Sequence, residues 1–327
     1  MKKLLAFAAA MLASVALYLA VFAVVERPLT LGEIPAAARL KSDYARTLPS
    51  PKLAIWAGSN GRFSHRCAAF TASTGLPCVN LSLAVGIGID FQLMQIEPLL
   101  QRGDVVYVPL EYDQYRIGRE EMESGAENTV LVHHRQDILW TLPPARIARA
   151  LGHFDLPFLI HGLIETGLDE FGFKRRSGID SLSAQGDETG HTAERGLPYR
   201  EFMLTIGIDP RPLPERSHTI DVLEGFLHRA RQAGIRVVGG LPTLPDTLHV
   251  DPERVVQLRA LFERHGHAFI VLPNRSQYPL DCFFDTIHHL NEACQVAHSA
   301  AVGRLLAETL LLPAPELARA RAPLERP

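Results

Sequence analysis

Ser59 and the run FFDTIHHLNEA at residues 283–293 hold the side chains best suited to covalent chemistry. A serine hydroxyl is neutral at physiological pH and attacks a carbonyl only when a neighbouring base takes its proton. His288 and His289 offer that base, and Asp285 offers the carboxylate that would orient an imidazole in the productive tautomer. The grouping is that of a Ser-His-Asp triad. His288 stands three residues after the aspartate, and His289 stands two before Asn291, the N-cap expected for a closing helix. Taken singly, Ser59 reads first as an N-cap and Asp285 as a turn residue, so the weight of the chemical reading lies in their joint placement. A zinc site built from these histidines lacks further convincing ligands. Glu111 with Asp113 offers a carboxylate pair of a kind too common beside strand ends to signal glycoside cleavage.

For these residues to meet, they must fall at one edge of a sheet. KLAIWAGS, residues 52–59, is a short apolar run ending at small residues, and Phe63, Cys67 and Phe70 recur after it at helical spacing. A strand, a tight turn and a helix are expected there, with Ser59 at the strand's carboxyl end. CVNLSL (78–83), VVYVPL (105–110), IRVVGGL (235–241) and AFIVLP (268–273) are further short apolar runs, the pattern of strands buried on both faces. Helices are expected at about 90–101, at 219–233 before Gly234, from the Asp251–Pro252 cap to about Arg264, and from Asn291 to about Leu311. Five strands alternating with helices predict an α/β domain over 52–312 with a mainly parallel five-stranded sheet. Ligands of such sheets bind outside the strands' carboxyl ends, and the run 283–293 follows the fifth strand to that same edge. Residues 114–217 lack this rhythm, with apolar helical pieces at about 126–168 and a polar run at 177–199, and read as an insertion that covers or flanks the site. Residues 313–327 read as a surface tail.

Residues 4–25, LLAFAAAMLASVALYLAVFAVV, carry no charge and no proline, and a bilayer span needs about 20 apolar residues. A cleaved signal peptide has about 7–15 apolar residues and then a small-x-small site. This run is longer and ends Val24-Val25-Glu26-Arg27, so residues 1–25 are expected to remain as an anchor. Lys2 and Lys3 place the N-terminus in the cytoplasm and the rest of the chain across the inner membrane, in a bacterium the periplasm. Residues 26–51, with Pro28, Pro35, Pro49 and Pro51, read as a tether. A net charge of -3 without a basic stripe argues against a nucleic-acid partner. Cys67, Cys78, Cys282 and Cys294 allow three disulfide connectivities. The local pairing would brace both chemical segments in a compartment where disulfides persist, yet Cys67 also falls on the apolar side of the first expected helix, where a free cysteine packs as a small hydrophobe.

At the level of motifs the chain resembles the SGNH (GDSL-type) hydrolase family, in its membrane-anchored, polysaccharide-modifying branch. GSNGRF, residues 58–63, is similar to the nucleophile block, with Ser59 in the nucleophile place. VNLSLAVGIG, 79–88, resembles the second block, which implies the amide of Gly86, or alternatively Gly88, as an oxyanion donor beside that of Ser59. DTIHHLN, 285–291, resembles the last block. Related membrane-tethered members carry one extra residue before the His-Leu-Asn run, which implies His289 as base, whereas His288 satisfies the commoner spacing. The resemblance covers 52–113 and 234–311. It departs after the third strand, where the family places a glycine and an oxyanion-binding asparagine and this chain reads PLEYDQY, 109–115. An ionised Glu111 cannot donate, and loss of one such donor costs about 100- to 1,000-fold in rate.

The resemblance implies a flavodoxin-like three-layer fold. It implies an esterase or O-acyltransferase acting on an envelope or exopolysaccharide, with no cofactor or metal. His289 would deprotonate Ser59, Ser59 would take the acyl group, and water or a sugar hydroxyl would accept it. The expected partners are a glycan or acyl ester, the membrane and a multi-span acyltransferase. The departure at Glu111 supports the alternative of a catalytically weak or inactive relative that binds a glycan or such an acyltransferase in an export complex.

Overall fold

The computed structural model describes residues 2–25, 33–134, 136–153, 156–171 and 179–311. The chain divides into two compact units, the smaller Met1–Ala37, Gly86–Phe91 and Arg119–Asp180, the larger Ala38–Val85, Gln92–Gly118 and Ser181–Pro327. In chain order the helices are α1 (Lys2–Val24), α2 (Glu33–Thr47), α3 (Ser59–Ser64), α4 (Cys67–Thr74), α5 (Ile89–Ile96), α6 (Arg119–Ser124), α7 (Ala126–His134), α8 (Pro144–Gly152) and α9 (Leu156–Glu170), followed by α10 (Ala193–Gly196), α11 (Arg200–Met203), α12 (His218–Ala233), α13 (Pro252–Glu263) and α14 (Glu292–Thr309).

In the larger unit, strands β1 (Leu53–Ile55), β2 (Cys78–Asn80), β3 (Val105–Val108), β4 (Arg236–Gly239) and β6 (Ala268–Phe269) form one sheet in the order β2-β1-β3-β4-β6. Every pairing is parallel. The expected α/β architecture with a mainly parallel five-stranded sheet is therefore present. Strands β1, β2 and β3 are buried along their whole length, as near-continuous apolar runs require. β5 (Leu244–Pro245) and β7 (Gln277–Tyr278) make a separate two-stranded parallel pair. At the amino ends of β1 and β3, Lys52 Nζ meets Asp104 Oδ2 at 2.7 Å with both side chains buried, and Asp104 Oδ1 also accepts from Lys52 N at 3.0 Å. Such a pair pins strand register, and removing one partner would leave a buried charge. On one face α14 packs against α4. Gly303 permits the approach, since a Cβ there would stand 2.8 Å from Ser73 Cβ.

The structure differs from the sequence expectation in three places. The first helix is broken in two at His65, which takes an extended conformation (φ -130°, ψ 131°) and turns its ring fully inward to donate from Nδ1 to Asn60 O at 3.3 Å. Of the stretch read as a tether, residues 33–47 form α2, and residues 26–32 lie outside the described residues. Lys41 of α2 is buried; its ammonium donates to Gly186 O at 2.8 Å and to Ser82 O, and burial lowers its pKa to about 7. The polar end of the expected insertion belongs to the larger unit. Asn80 N of the edge strand β2 donates to Gln185 O at 2.8 Å, and Cys67 N donates to Asp187 Oδ1 at 3.1 Å.

In the smaller unit, α1 is 23 residues long and contains an 18-residue stretch of mean hydropathy 2.4, long and apolar enough to cross a membrane. Residues 2–17 are exposed throughout, while Tyr18, Val21, Phe22 and Val25 turn inward at helical spacing. Within that unit Tyr18 donates its hydroxyl to Leu151 O, and Phe22 meets His133 edge to face at 5.4 Å. Val25 packs on Gly162 of α9, where a Cβ would stand 2.8 Å from Val25 Cγ1.

Candidate active site

The candidate residues sit on turns that follow the carboxyl ends of the parallel strands. β1 leads through Gly58 into α3, so Ser59 is the first residue of that helix and is half-buried. β3 runs out to Glu111, the turn after β4 carries Thr243, and the segment after β7 carries Asp285–Asn291.

Asp285 and His289 are joined, with Nδ1 of His289 donating to Oδ1 of Asp285 at 2.6 Å and His289 only 8% exposed. In a neutral imidazole, a donor at Nδ1 leaves Nε2 with its lone pair, the form that accepts a proton. The His289 ring stacks on Phe63, centroids 4.1 Å and planes 10° apart. Phe63 stands four residues after Ser59 on α3 and shares its face, so the imidazole lies along the side of the helix that bears the serine. Among the described residues none is hydrogen-bonded to the Ser59 hydroxyl.

His288 is engaged elsewhere. Its Nδ1 donates to Thr243 O at 3.0 Å, and burial lowers its pKa to about 4. Of the two histidines left open by the sequence, the one paired with Asp285 is His289. The backbone around His289 is clamped to α3, because Ser64 Oγ donates to His288 O at 2.8 Å and accepts from Leu290 N at 3.0 Å. The Cys282–Cys294 disulfide closes the whole segment into a ring, and Asn291 caps α14 by accepting from Cys294 N at 3.1 Å. In the chain-entropy account, closing a loop of this size stabilises by about 3 kcal/mol. The second disulfide, Cys67–Cys78, ties α4 to β2.

Glu111 reaches into the turn between β1 and α3. Its Oε1 accepts from Asn60 N at 2.8 Å, a cap for α3 that the Gly58 position itself does not supply. Glycine at 58 makes room for the carboxylate, since a Cβ would stand 2.5 Å from Oε2. Glu111 is 2% exposed, and its buried Oε2 has no hydrogen-bond partner among the described residues. Burial raises its pKa, opposed by the amides of Asn60 and of Glu111 itself, by charge on His289 and by the Gly58 amide. The carboxyl is thereby biased toward its neutral form, in which it is a donor.

Several residues that position the site were not singled out from the sequence. Asn60 donates from Nδ2 to Pro109 O at 2.9 Å and accepts at Oδ1 from Thr243 Oγ1 at 2.8 Å, tying the serine turn to the ends of β3 and β4. Asn80 donates to Gly61 O at 2.7 Å, and Ser82 Oγ accepts from Ala57 N at 3.0 Å. The available signal was their neighbourhood: Asn60 follows Ser59, and Asn80 and Ser82 lie inside VNLSLAVGIG. Gly86 is the centre of the 3-10 turn Val85–Ile87 and Gly88 takes φ 74°, both in the smaller unit. A cleft of about 600 Å³ lies elsewhere in the larger unit, with Tyr115, Arg216, Gln257 and Arg264 on its wall. Among the described residues no group of three or more His, Cys, Asp or Glu is placed to hold a metal ion.

The arrangement can accept a proton at His289 Nε2 and stabilise the resulting charge through Asp285. Compared with known proteins, the chain matches no family model, no curated protein and no solved structure.

Proposed function

We propose that this chain is a membrane-anchored, extracytoplasmic esterase or O-acyltransferase of SGNH type acting on an envelope or exopolysaccharide. The observation that carries the acyl-transfer reading is the Asp285–His289 pair, bonded at 2.6 Å and lying along the Ser59 face of α3. In the proposed cycle His289 Nε2 takes the Ser59 proton as Oγ attacks the acyl carbonyl. The imidazolium, held by Asp285, then returns that proton to the leaving alkoxide. Water or a sugar hydroxyl resolves the acyl-serine by the same steps in reverse, and no cofactor is needed. A parallel sheet in the order β2-β1-β3-β4-β6 supports a flavodoxin-like three-layer fold. The glycan substrate and a multi-span acyltransferase partner rest on motif resemblance. Lys2 and Lys3 before α1 support a cytoplasmic N-terminus, and the two disulfides support a periplasmic larger unit.

The test uses the full chain in nanodiscs, treated with a serine-directed phosphonate and with an acetyl ester. Wild type is expected to label and to turn over, and Ser59→Ala to do neither; an unlabelled wild type overturns the enzyme reading. An alkaline phosphatase fusion after residue 60 is expected to be active, and an inactive one overturns the orientation.

One observation favours a second reading, a glycan- or acyltransferase-binding relative without catalysis. The Glu111 carboxyl holds the Asn60 amide at 2.8 Å where the family places an oxyanion donor. Under that reading Ser59→Ala retains full cellular function.

A further inference from the structure

A hydrocarbon core is about 30 Å thick, and a helix rises about 1.5 Å per residue. The part of α1 free of its own unit runs from Leu4 to Leu17, which covers about 21 Å. Roughly 9 Å of span is missing, and tilt would widen the shortfall. The missing length has to come from Tyr18–Val25, the stretch already packed against Leu151, His133 and Gly162 of the same unit. Whatever packs on that stretch therefore enters the bilayer with it.

Helix α9 is dressed for that position. Its inner side carries Leu159, 1% exposed, and Gly162, whose missing side chain lets Val25 approach, as small residues do between membrane helices. Its outer side carries Ile160, Leu163, Ile164 and Leu168, 44–57% exposed, and Phe171 follows at 82%. These positions fall on one helical stripe. Glu165, on the flank, is half-buried. Trp140 of the same unit is 95% exposed, a residue type enriched at membrane–water interfaces.

We propose that the outer face of α9 is a second lipid-contact surface: α9 lies in the bilayer leaflet beside the inward-turning end of α1, so that the chain is held by one span and one embedded helix. The surface recognises acyl chains, not a protein groove. The proposal rests on α1 crossing the bilayer and is independent of the chemistry at Ser59.

The experiment is spin labelling of the full chain in nanodiscs. Both cysteine pairs are disulfides and none is free, so single cysteines can be introduced at Ala9, Leu163, Leu168 and Val256. Power saturation compares exposure to oxygen, which concentrates in lipid, with exposure to a water-soluble nickel chelate. Labels at Leu163 and Leu168 are expected several-fold more accessible to oxygen than to nickel, at a depth of about 5–10 Å. Ala9 is expected deeper, and Val256, 64% exposed on α13, aqueous. Nickel access at both α9 positions with Ala9 still in lipid overturns the proposal and leaves the span intact. Nickel access at Ala9 overturns both. Shielding from both reagents with spin–spin broadening places a second copy on this face, and that also overturns it.

Discussion

The two halves of the candidate site are built differently. The base half is over-determined: His289 is fixed by Asp285 on one side, by Phe63 on its ring face, by Ser64 through the neighbouring backbone, and by a disulfide around the whole segment. The serine half is held from outside itself. Its turn is capped by Glu111 and braced by Asn80 and Ser82, while the Ser59 hydroxyl is bonded to none of the described residues. Proton transfer needs a fixed base, whereas a nucleophile must move along its attack path. The contrast suits the proposed acyl transfer, and under that proposal it concentrates the distinction between an active and an inactive site on one carboxyl, that of Glu111.

The strongest way to break this comparison is to remove the base. His289→Ala is expected to lower ester turnover by on the order of 10⁴-fold or more, and Asp285→Asn by about 10⁴-fold, both read as initial rates in nanodiscs. Equal rates for His289→Ala and wild type would strip the base half of any chemical role. Disulfide removal comes next. Cys282→Ser with Cys294→Ser and Cys67→Ser with Cys78→Ser are each expected to cost about 3 kcal/mol in urea unfolding. Only the former should also reduce turnover in protein that remains folded, because only it encloses His289.

Acid sharpens the contrast further. The buried His65, with its pKa lowered to about 4, stays neutral in the fold while the unfolded chain takes up protons below its ordinary 6.5. Stability is thus expected to fall as pH drops from about 6.5 toward 4, by about 3 kcal/mol from this group. Glu111 and Asp187, with raised values, act in the opposite sense at their own titrations. Urea midpoints at pH 7, 5.5 and 4.5 measure the net slope. The smallest effect is expected at Glu111. In wild type the rate should decline as pH rises through its raised pKa, since the ionised carboxyl opposes the developing oxyanion, and Glu111→Gln should remove that decline with a gain of about 100-fold at the alkaline end. An unchanged pH–rate profile would leave Glu111 as a cap alone.

Much of this frame was legible because local chemistry and tertiary role agree. Apolar runs bounded by turns became β1–β4 and β6, Gly234 ends α12 with φ 74°, Asp251 caps α13 by accepting from Glu253 N, and Asn291 caps α14. Pattern reading failed where a polar side chain is buried by long-range partners. Nothing local to Lys41 announces that its acceptors are the carbonyls of Ser82 and Gly186, so α2 looked like a linker. The break at His65 turns its ring toward His298, whose Nε2 lies 3.3 Å from that of His65 across a separation of 233 residues. The triad candidates were legible as a set, but the choice between adjacent histidines was not, because it depends on which ring Thr243 O engages. Glu111 showed itself only as a mismatch to a motif; its burial and its hold on Asn60 N needed the fold.

The disulfides join consecutive cysteines, with separations of 11 and 12 residues. A chain threaded across a membrane from its amino end would deliver Cys67 and Cys78 together, long before Cys282 is synthesised. Each bond can therefore close in order of emergence, with no wrong thiol within reach. If the larger unit is exported as proposed, its maturation should require an oxidant during translocation and no enzyme to reshuffle mispaired bonds afterwards.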